Sequence, residues 1–284
     1  MKVLITSGGT REHIDAARVL TNTSTGRTGR VLAEELSARG CEVLALCAAG
    51  SQTPSGRNVR TAGYETFSDL DSALKKALKS GAFDAVIHLA AVSDYSPVLI
   101  EAGGRRYKPG RAAKLPSSPA TLRITLRRNF KIVDRIKPYA AAGRRPAPLL
   151  IAFKLTAGAT KTQALKKVRS LPSADLVVHN DTREMKDPHL FHIYSLGLPL
   201  ADCAGPEILA EKLFQLLNKR EQIHRLIPPG MTREVDKQNP AGGPSLHKRE
   251  GRGGEGRARC ARPCFCVPLP AADRQTAKKD KSCC

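Results

Sequence analysis

The stretch KVLITSGGTREHIDAARVLTNTSTGRTG, residues 2–29, decides the fold of this chain. Its short apolar run, residues 3–5, has the length and type of a buried strand and leads directly into a glycine turn at residues 7–10. Paired glycines after a strand let the backbone approach a ligand closely, at the sheet edge where α/β folds bind. A second turn of small residues, 22–29, follows and opens a helix pattern. We therefore expect two phosphate-binding turns within one βα unit.

Strand and helix patterns alternate along the rest of the chain, which predicts a Rossmann-like, doubly wound and mostly parallel α/β sheet in one domain. The predicted strands are residues 41–47, 83–89, 122–126, 149–153, 175–179 and, at an edge, 192–196. The predicted helices are residues 31–39, 69–80 with Ser68 as N-cap, 131–139, 161–170 and 206–220. Two segments rich in glycine and proline are predicted to be connections. Residues 48–62 are predicted to form a loop, and residues 97–119 a long mobile flap.

Composition limits the class of protein. The 284 residues are 41% hydrophobic, with no apolar run long enough to cross a membrane and no leader pattern, so we expect a cytoplasmic protein without a membrane partner. The folded domain is predicted at residues 1–221. Residues 222–284 read as a disordered basic tail, because their apolar content cannot offset the entropy of ordering them.

The eight cysteines fall into two groups. Cys41, Cys47 and Cys203 lie in the predicted domain and read as reduced packing residues. The other five lie near the end and could be argued as a zinc cluster, but their spacing matches no paired CxxC knuckle and favours incidental thiols. They are Cys260, Cys264, Cys266, Cys283 and Cys284.

The formal charge of +21 raises the question of a nucleic-acid partner. Aromatic residues are only 4% of the chain, and no zinc-finger or RNP signature is present, so nucleic-acid binding is not the expected function. Anionic small-molecule substrates together with a basic tail explain the charge equally well.

A dinucleotide-dependent oxidoreductase is one interpretation of the opening stretch. Gly26 and Gly29 have part of the G-x-G-x-x-G spacing, as at the start of a short-chain dehydrogenase. Such enzymes use a Tyr-x-x-x-Lys pair for proton transfer, and none of the five tyrosines has a lysine four residues on. The oxidoreductase stays as the alternative function.

Taken together, the motifs resemble those of phosphopantothenoylcysteine synthetase, the phosphopantothenate cysteine ligase of coenzyme A biosynthesis. The resemblance covers residues 1 to about 220, and its six motifs follow the family's order. They are ITSGGT with Ile14-Asp15 and Arg18 (residues 5–18), LTNTSTGRTG (20–29), AAVSDY (90–95), KLPS (114–117), AFKL (152–155) and DLVVHND (175–181).

The resemblance implies a two-step ligation. The carboxylate of 4′-phosphopantothenate attacks the α-phosphate of CTP to give an acyl-cytidylate and pyrophosphate, and the amine of L-cysteine then displaces CMP. Magnesium would accompany the triphosphate, with ligands that the sequence does not assign. The KLPS motif favours CTP over ATP. The resemblance also implies a homodimer and a stand-alone form of bacterial type.

Residue roles follow from the same resemblance. Asn22 would hold the acyl phosphate, Arg18 would support it, and Lys114 on the flap would meet the triphosphate as a mobile charge. Each role has a structural alternative: a turn cap for Asn22, a solvated charge for Arg18 or Lys114, a tight turn for the glycines, a cap of the next segment for Asp94 and core packing for Phe153. The expected nucleotide-binding residues are Gly8, Gly9, Ser24, Gly26, Ala90, Ala91, Asp94, Lys114, Ala152, Phe153 and Lys167.

The chain departs from the family's pattern in three places. His13 stands where proline is usual, and Thr156-Ala157 replaces a common acidic residue. Lys167 matches the first of two nucleotide-contacting lysines, whereas Leu171 and Pro172 occupy the region of the second. The last departure bears on nucleotide affinity and on the choice of base.

Overall fold

The computed structural model describes residues 1–112 and 114–219. Its strands are β1 (Lys2–Ser7), β2 (Arg11–His13), β3 (Val19–Thr21), β4 (Glu42–Ala48), β5 (Val59–Tyr64), β6 (Ala85–His88), β7 (Tyr95–Ala102), β8 (Arg105–Tyr107), β9 (Leu122–Arg128), β10 (Leu149–Thr156), β11 (Leu176–Asp181), β12 (Leu190–Ser195) and β13 (Leu198–Ala204). Its α-helices are α1 (Arg27–Ala38), α2 (Phe67–Ser80), α3 (Ile136–Ala142), α4 (Lys161–Arg169) and α5 (Pro206–Asn218). The domain limit at residue 221, the tail at 222–284 and its cysteines lie outside the described residues.

Eight strands form the main sheet in the order β13-β12-β11-β10-β6-β1-β4-β5. The six strands from β11 to β5 pair in parallel, and β12 and β13 extend the sheet antiparallel. Counted along the chain, the parallel strands lie in the order 3-2-1-4-5-6, which is the Rossmann order. The predicted fold class is confirmed.

The sheet forms because its central strands are apolar on both faces. Leu4 and Ile5 on β1, and Val86 and Ile87 on β6, are all 0% exposed, as expected of parallel strands covered by helices on each side. Helices α1 and α5 cover one face, and α2 and α3 cover the other. Burial of these apolar side chains is the main force that holds the layers together.

Helix α1 can pack against Ser7 of β1 because it carries a glycine, Gly29, at the contact. A Cβ atom at Gly29 would lie 2.3 Å from Ser7 Oγ. Helix α2 begins with a capping box in which Thr66 and Asp69 each bond the other's backbone N–H. The prediction of Ser68 as N-cap is therefore wrong, since the helix already begins at Phe67.

Three connections differ from the predictions. The predicted loop at residues 48–62 contains the start of β5, which pairs with β4 at the sheet edge and is largely exposed, so it lacks a buried apolar pattern. The predicted edge strand at residues 192–196 is β12, and β13 lies outside it. The predicted flap at residues 97–119 contains most of β7 and all of β8, which form a separate antiparallel sheet with β9.

Two further expectations concern cysteines and membranes. Cys41, Cys47 and Cys203 are buried and free, which confirms their role as packing residues. No helix in the described part of the chain has the length and apolar character needed to cross a bilayer.

Candidate functional site

The site lies where the order of the parallel strands reverses, between β1 and β6. Beyond the two strands, Gly9 and Ala91 continue the pairing as an isolated parallel bridge. The Ala91 N–H donates to the Gly8 carbonyl at 2.9 Å, and the Thr10 N–H donates to the Ala91 carbonyl at 3.2 Å. The structure therefore brings the predicted residues Gly8, Gly9, Ala90 and Ala91 together, at the edge where α/β sheets bind ligands.

The two glycines of the first turn are needed for packing. Gly8 has a φ of +89°, and a Cβ there would lie 2.6 Å from the Cβ of Ala48. A Cβ at Gly9 would lie 2.5 Å from the backbone oxygen of Asn22. The second turn rests on the first only because Gly9 has no side chain.

Asn22 is exposed and its amide is held in place. The Nδ2 atom donates to the Val92 carbonyl at 3.1 Å and lies 3.5 Å from the Ala91 carbonyl oxygen. An amide nitrogen carries two hydrogens, and the contact with Ala91 is the longer and weaker of its two bonds, so it is the one that a ligand acceptor could replace. Asn22 thus lies over the exit of β6, next to the glycine turn.

The other residues predicted in the second turn lead into α1. Ser24 is exposed. Gly26 is the N-cap of α1 with a φ of +76°, and its carbonyl accepts a bond from Ser7 Oγ at 3.2 Å. The turn therefore directs the N-terminus of α1 toward the same sheet edge, where helix N–H groups favour anions.

Arg18 is oriented by a buried carboxylate. Asp15 is 1% exposed, and its Oδ2 accepts from Arg18 Nη2 at 2.6 Å and from Arg18 Nε at 3.1 Å. The Asp15 Oδ1 accepts from the backbone N–H groups of Ala17 and Arg18 at 2.9 and 2.7 Å. The Arg18 guanidinium and backbone amides hold the pKa of the Asp15 carboxyl well below its usual range. The Arg18 side chain remains 45% exposed, so it can also meet a ligand.

Lys114 lies next to a buried anchor. Leu115 is 6% exposed, and its N–H donates to Asp15 Oδ2 at 3.0 Å. Lys114 is exposed and directly precedes this anchor, so one carboxylate bonds both Arg18 and the residue next to Lys114. Earlier in the same segment, Arg111 contacts Glu65, and its Nε lies 2.9 Å from His13 Nε2.

A second group of charges lies around the end of β10. Asp94 is 63% exposed and forms an ion pair with Lys131. Burial, and then the charges of Lys131 and Lys167, lower the pKa of Lys154, whereas the charge of Asp94 raises it. The predicted residues Asp94 and Lys167 are thus both within electrostatic reach of Lys154, and Asp94 also pairs with Lys131. Neither Lys154 nor Lys131 was predicted as a site residue.

The remaining predicted residues, Ala152 and Phe153, belong to the packed interior to different degrees. Ala152 is 2% exposed and lies in the apolar core beneath α2 and α3. Phe153 is partly buried, and its ring meets Phe191 edge to face at 6.4 Å between centroids. Of the two, Phe153 is nearer the surface, and core packing accounts for Ala152.

The loop after β10 is organised by a second buried carboxylate. Asp181 is 3% exposed and accepts from the Thr156 hydroxyl at 2.7 Å and from the N–H groups of Gly158 and Ala159 at 3.1 and 3.0 Å. The Thr156 bond, followed by the backbone N–H groups, holds the pKa of Asp181 well below its usual range. Thr156 also bonds His179 Nε2 at 2.8 Å, so the residue that departs from the family's acidic pattern joins two strands.

Sequence reasoning missed the structural importance of Asp15, Asp181 and Lys131. Asp15 and Asp181 fall within quoted motifs, but their burial appears only once distant segments are in place. Lys131 follows a strand without any motif of its own. In the described ranges, no cluster of three or more His, Cys, Asp or Glu could hold a metal ion.

Comparison with known proteins agrees with this geometry. The profile of the DNA/pantothenate metabolism flavoprotein C-terminal domain matches residues 1–190. The coenzyme A biosynthesis bifunctional protein CoaBC of Thermococcus kodakarensis is 33% identical over 182 residues, which cover 63% of this chain and 41% of that protein. The chain thus spans less than half the length of this relative.

Two solved structures share the fold. The DNA/pantothenate metabolism flavoprotein of Streptococcus pneumoniae has a TM-score of 0.68 and 28% identity, covering 78% of this chain and 99% of that one. The C-terminal domain of a coenzyme A biosynthesis bifunctional protein CoaBC has a TM-score of 0.58 and 26% identity, covering 78% and 96%. The chain belongs to the family of DNA/pantothenate metabolism flavoprotein C-terminal domains.

Proposed function

We propose that this chain is the ligase that joins 4′-phosphopantothenate to L-cysteine, with CTP as the activating nucleotide. The names of the relatives place those proteins in coenzyme A biosynthesis. The observation that carries the proposal is the position of Asn22, whose amide is pinned to Val92 at the strand-order reversal, beside the glycine turn. A fixed amide donor there can stabilise charge that develops on an acyl phosphate without reorganisation.

The first step forms an acyl-cytidylate. The carboxylate oxygen of phosphopantothenate bonds to the α-phosphorus of CTP, and the bond from the α-phosphorus to the bridging oxygen breaks, releasing pyrophosphate. Lys114 and Lys167 would neutralise the triphosphate, and Asp94 would accept hydrogen bonds from nucleotide hydroxyl groups. Magnesium would arrive with the triphosphate and screen its charge.

The second step forms the amide. The amine of cysteine attacks the acyl carbon, the acyl–phosphate bond breaks, CMP leaves with the bonding electron pair, and the amine loses a proton. Asn22 would hold the acyl phosphate through both steps, and Arg18 would bind an anionic oxygen of the intermediate. The N-terminus of α1, capped by Gly26, adds backbone donors on the same side.

The oxidoreductase alternative is not favoured. A Rossmann strand order serves many chemistries, so the fold alone does not separate a ligase from a dehydrogenase. The family match and the missing Tyr-x-x-x-Lys pair both support the ligase.

The decisive experiment follows pyrophosphate. Purified protein is incubated with phosphopantothenate, magnesium and either CTP or ATP, and cysteine is added afterwards. We expect pyrophosphate release with CTP before cysteine is present, and amide product only after it is added. No pyrophosphate with any nucleoside triphosphate would rule out the ligase, and oxidation of NADPH with a carbonyl panel would restore the oxidoreductase.

Light scattering of the same sample tests the proposed homodimer, and fractionation of the source cells tests the proposed cytoplasmic location.

A further inference from the structure

One oxygen atom joins two parts of the site that are far apart in sequence. Asp15 Oδ2 accepts from the guanidinium of Arg18, three residues on, and from the N–H of Leu115, 100 residues on. The other oxygen, Oδ1, accepts two backbone N–H groups of its own loop. Asp15 therefore contacts both the loop that carries Arg18 and the segment that carries Lys114.

The two contacts depend on each other because Asp15 is buried. A carboxylate that is 1% exposed stays ionised only while donors replace the water it has lost. Removing Arg18 leaves the carboxylate short of donors and favours entry of water, which weakens the bond to Leu115. Unseating Leu115 opens the carboxylate to water in the same way, and this weakens its hold on Arg18.

A second contact of the same segment provides a comparison. Arg111 contacts Glu65 and His13, and none of the bonds described for these three residues reaches Arg18. Glu65 thus tethers the segment without orienting the arginine. Loss of Glu65 should therefore affect only the seating of the segment, whereas loss of Asp15 should affect both the seating and the orientation of Arg18.

We propose that Asp15 is a positioning residue that presents Arg18 and Lys114 together, by orienting the guanidinium and seating Leu115 through one oxygen. The proposal rests on the proposed function for the roles of Arg18 and Lys114. Asp15 itself is too deeply buried to contact substrate, so its effect on the reaction runs through these two neighbours.

The first test measures seating without any enzyme assay. Amide hydrogen exchange at Leu115 is compared in the full-length wild type, Asp15→Asn and Arg18→Gln. We expect exchange to be faster by about tenfold or more in both variants, the scale of one charge-assisted hydrogen bond. The internal control is the N–H of Phe67, which donates to another buried carboxylate, that of Glu12, at 2.8 Å. The exchange rate of this N–H should not change in either variant.

Arg18→Gln keeps this test valid if Asp15→Asn fails to fold, since the Arg18 side chain is 45% exposed. Unchanged exchange at Leu115 in Arg18→Gln would overturn the coupling. Equal acceleration at Leu115 and Phe67 would show a general loss of stability and would also overturn it.

The second test uses pyrophosphate release by the same proteins. We expect Asp15→Asn to lower kcat and to raise KM for the nucleotide, each by about tenfold, while Asp15→Asn with Arg18→Gln loses no more kcat than Arg18→Gln alone. The matched control, Glu65→Gln, should raise only KM. Additive losses of kcat, or an equal loss of kcat in Glu65→Gln, would overturn the positioning role. A wild type that releases no pyrophosphate would refute the ligase, while the exchange test would still decide whether Asp15 couples the two segments.

Discussion

Two loops flank the candidate site, and they are held in different ways. The glycine turn at residues 7–10 is fixed by backbone bonds to Ala91 and by close packing against Asn22 and Ala48. The loop at residues 14–18 has two backbone bonds to the Arg18 carbonyl, and the other N–H groups of the loop that form bonds donate to one buried carboxylate, that of Asp15. The first should tolerate acid and salt but no added atom, whereas the second should tolerate small changes in volume but no loss of charge.

The largest expected effect comes from adding one atom to the glycine turn. Gly9→Ala would place a Cβ 2.5 Å from a backbone oxygen that cannot move aside easily, so we expect the free energy of unfolding to fall by about 3 kcal/mol. Urea unfolding measures this change. Gly63→Ala is the matched control, because a Cβ there meets nothing within 4 Å, and it should change stability by less than about 0.5 kcal/mol. Equal stability of the two variants would contradict the claim that close packing fixes the glycine turn.

Asn22→Ala should separate chemistry from stability. We expect turnover to fall about a hundredfold, equivalent to about 2.7 kcal/mol at the transition state, with the nucleotide KM nearly unchanged. Stability should fall by less than about 1 kcal/mol, because the lost bond to Val92 lies at an exposed side chain. Pyrophosphate release and urea unfolding measure the two effects. A fully active variant would mean that Asn22 only holds the turn.

Acid should weaken the two loops that are held by the buried carboxylates of Asp15 and Asp181. The pKa values of Asp15 and Asp181 are lowered in the folded protein, so each contributes stability that is complete above the unfolded value of about 3.9 and is lost as the pH falls through the folded value. We expect the free energy of unfolding to decrease below about pH 4, and Asp181→Asn to flatten that decrease. Unfolding curves between about pH 2.5 and 6 measure the slope. An unchanged slope in Asp181→Asn would contradict the assignment.

The smallest expected effect concerns the exposed ion pair at the other side of the site. Lys131 and Asp94 are 51% and 63% exposed, and such pairs contribute little to stability. Lys131→Met should therefore change the free energy of unfolding by less than about 0.5 kcal/mol and raise the nucleotide KM only a fewfold. Lys76→Met, at an exposed position of α2, is the control for loss of one positive charge. A stability loss above about 1 kcal/mol in Lys131→Met alone would show that charge also holds this side together.

The sequence predicts the parallel sheet well because its strands carry continuous apolar runs. Residues 3–5 and 83–89 could be recognised as strands without knowledge of their neighbours. The strand β5 was missed because it lies at an edge and is mostly exposed, with Arg60, Thr61 and Gly63 in place of a buried pattern. The pairing of β7 with β9 was missed because it joins residues some 26 positions apart, such as Leu99 and Thr125, through a segment rich in glycine and proline.

The site was predictable to the extent that its residues lie next to strand ends. Gly8, Gly9 and Ala91 follow strands that the sequence predicts, whereas Asn22 follows β3, which it does not predict. The structure brings these residues together. The role of Asp15 could not be predicted in this way, because it depends on Leu115 arriving from 100 residues away. Local patterns show which residues belong to a loop, but burial of a charge is a property of the assembled chain.

The Thr156 hydroxyl also decides where a proton sits on its neighbour. Asp181 is ionised and can only accept, so the Thr156 O–H points to it, and the Thr156 oxygen is left to accept from His179 Nε2 at 2.8 Å. Burial lowers the pKa of His179, so the ring is neutral and carries its single hydrogen on Nε2. The buried Nδ1 therefore carries a lone pair and no hydrogen, and it has no hydrogen-bond partner among the described residues. One hydroxyl thus selects the tautomer of a buried imidazole, and Thr156→Val would leave both tautomers open.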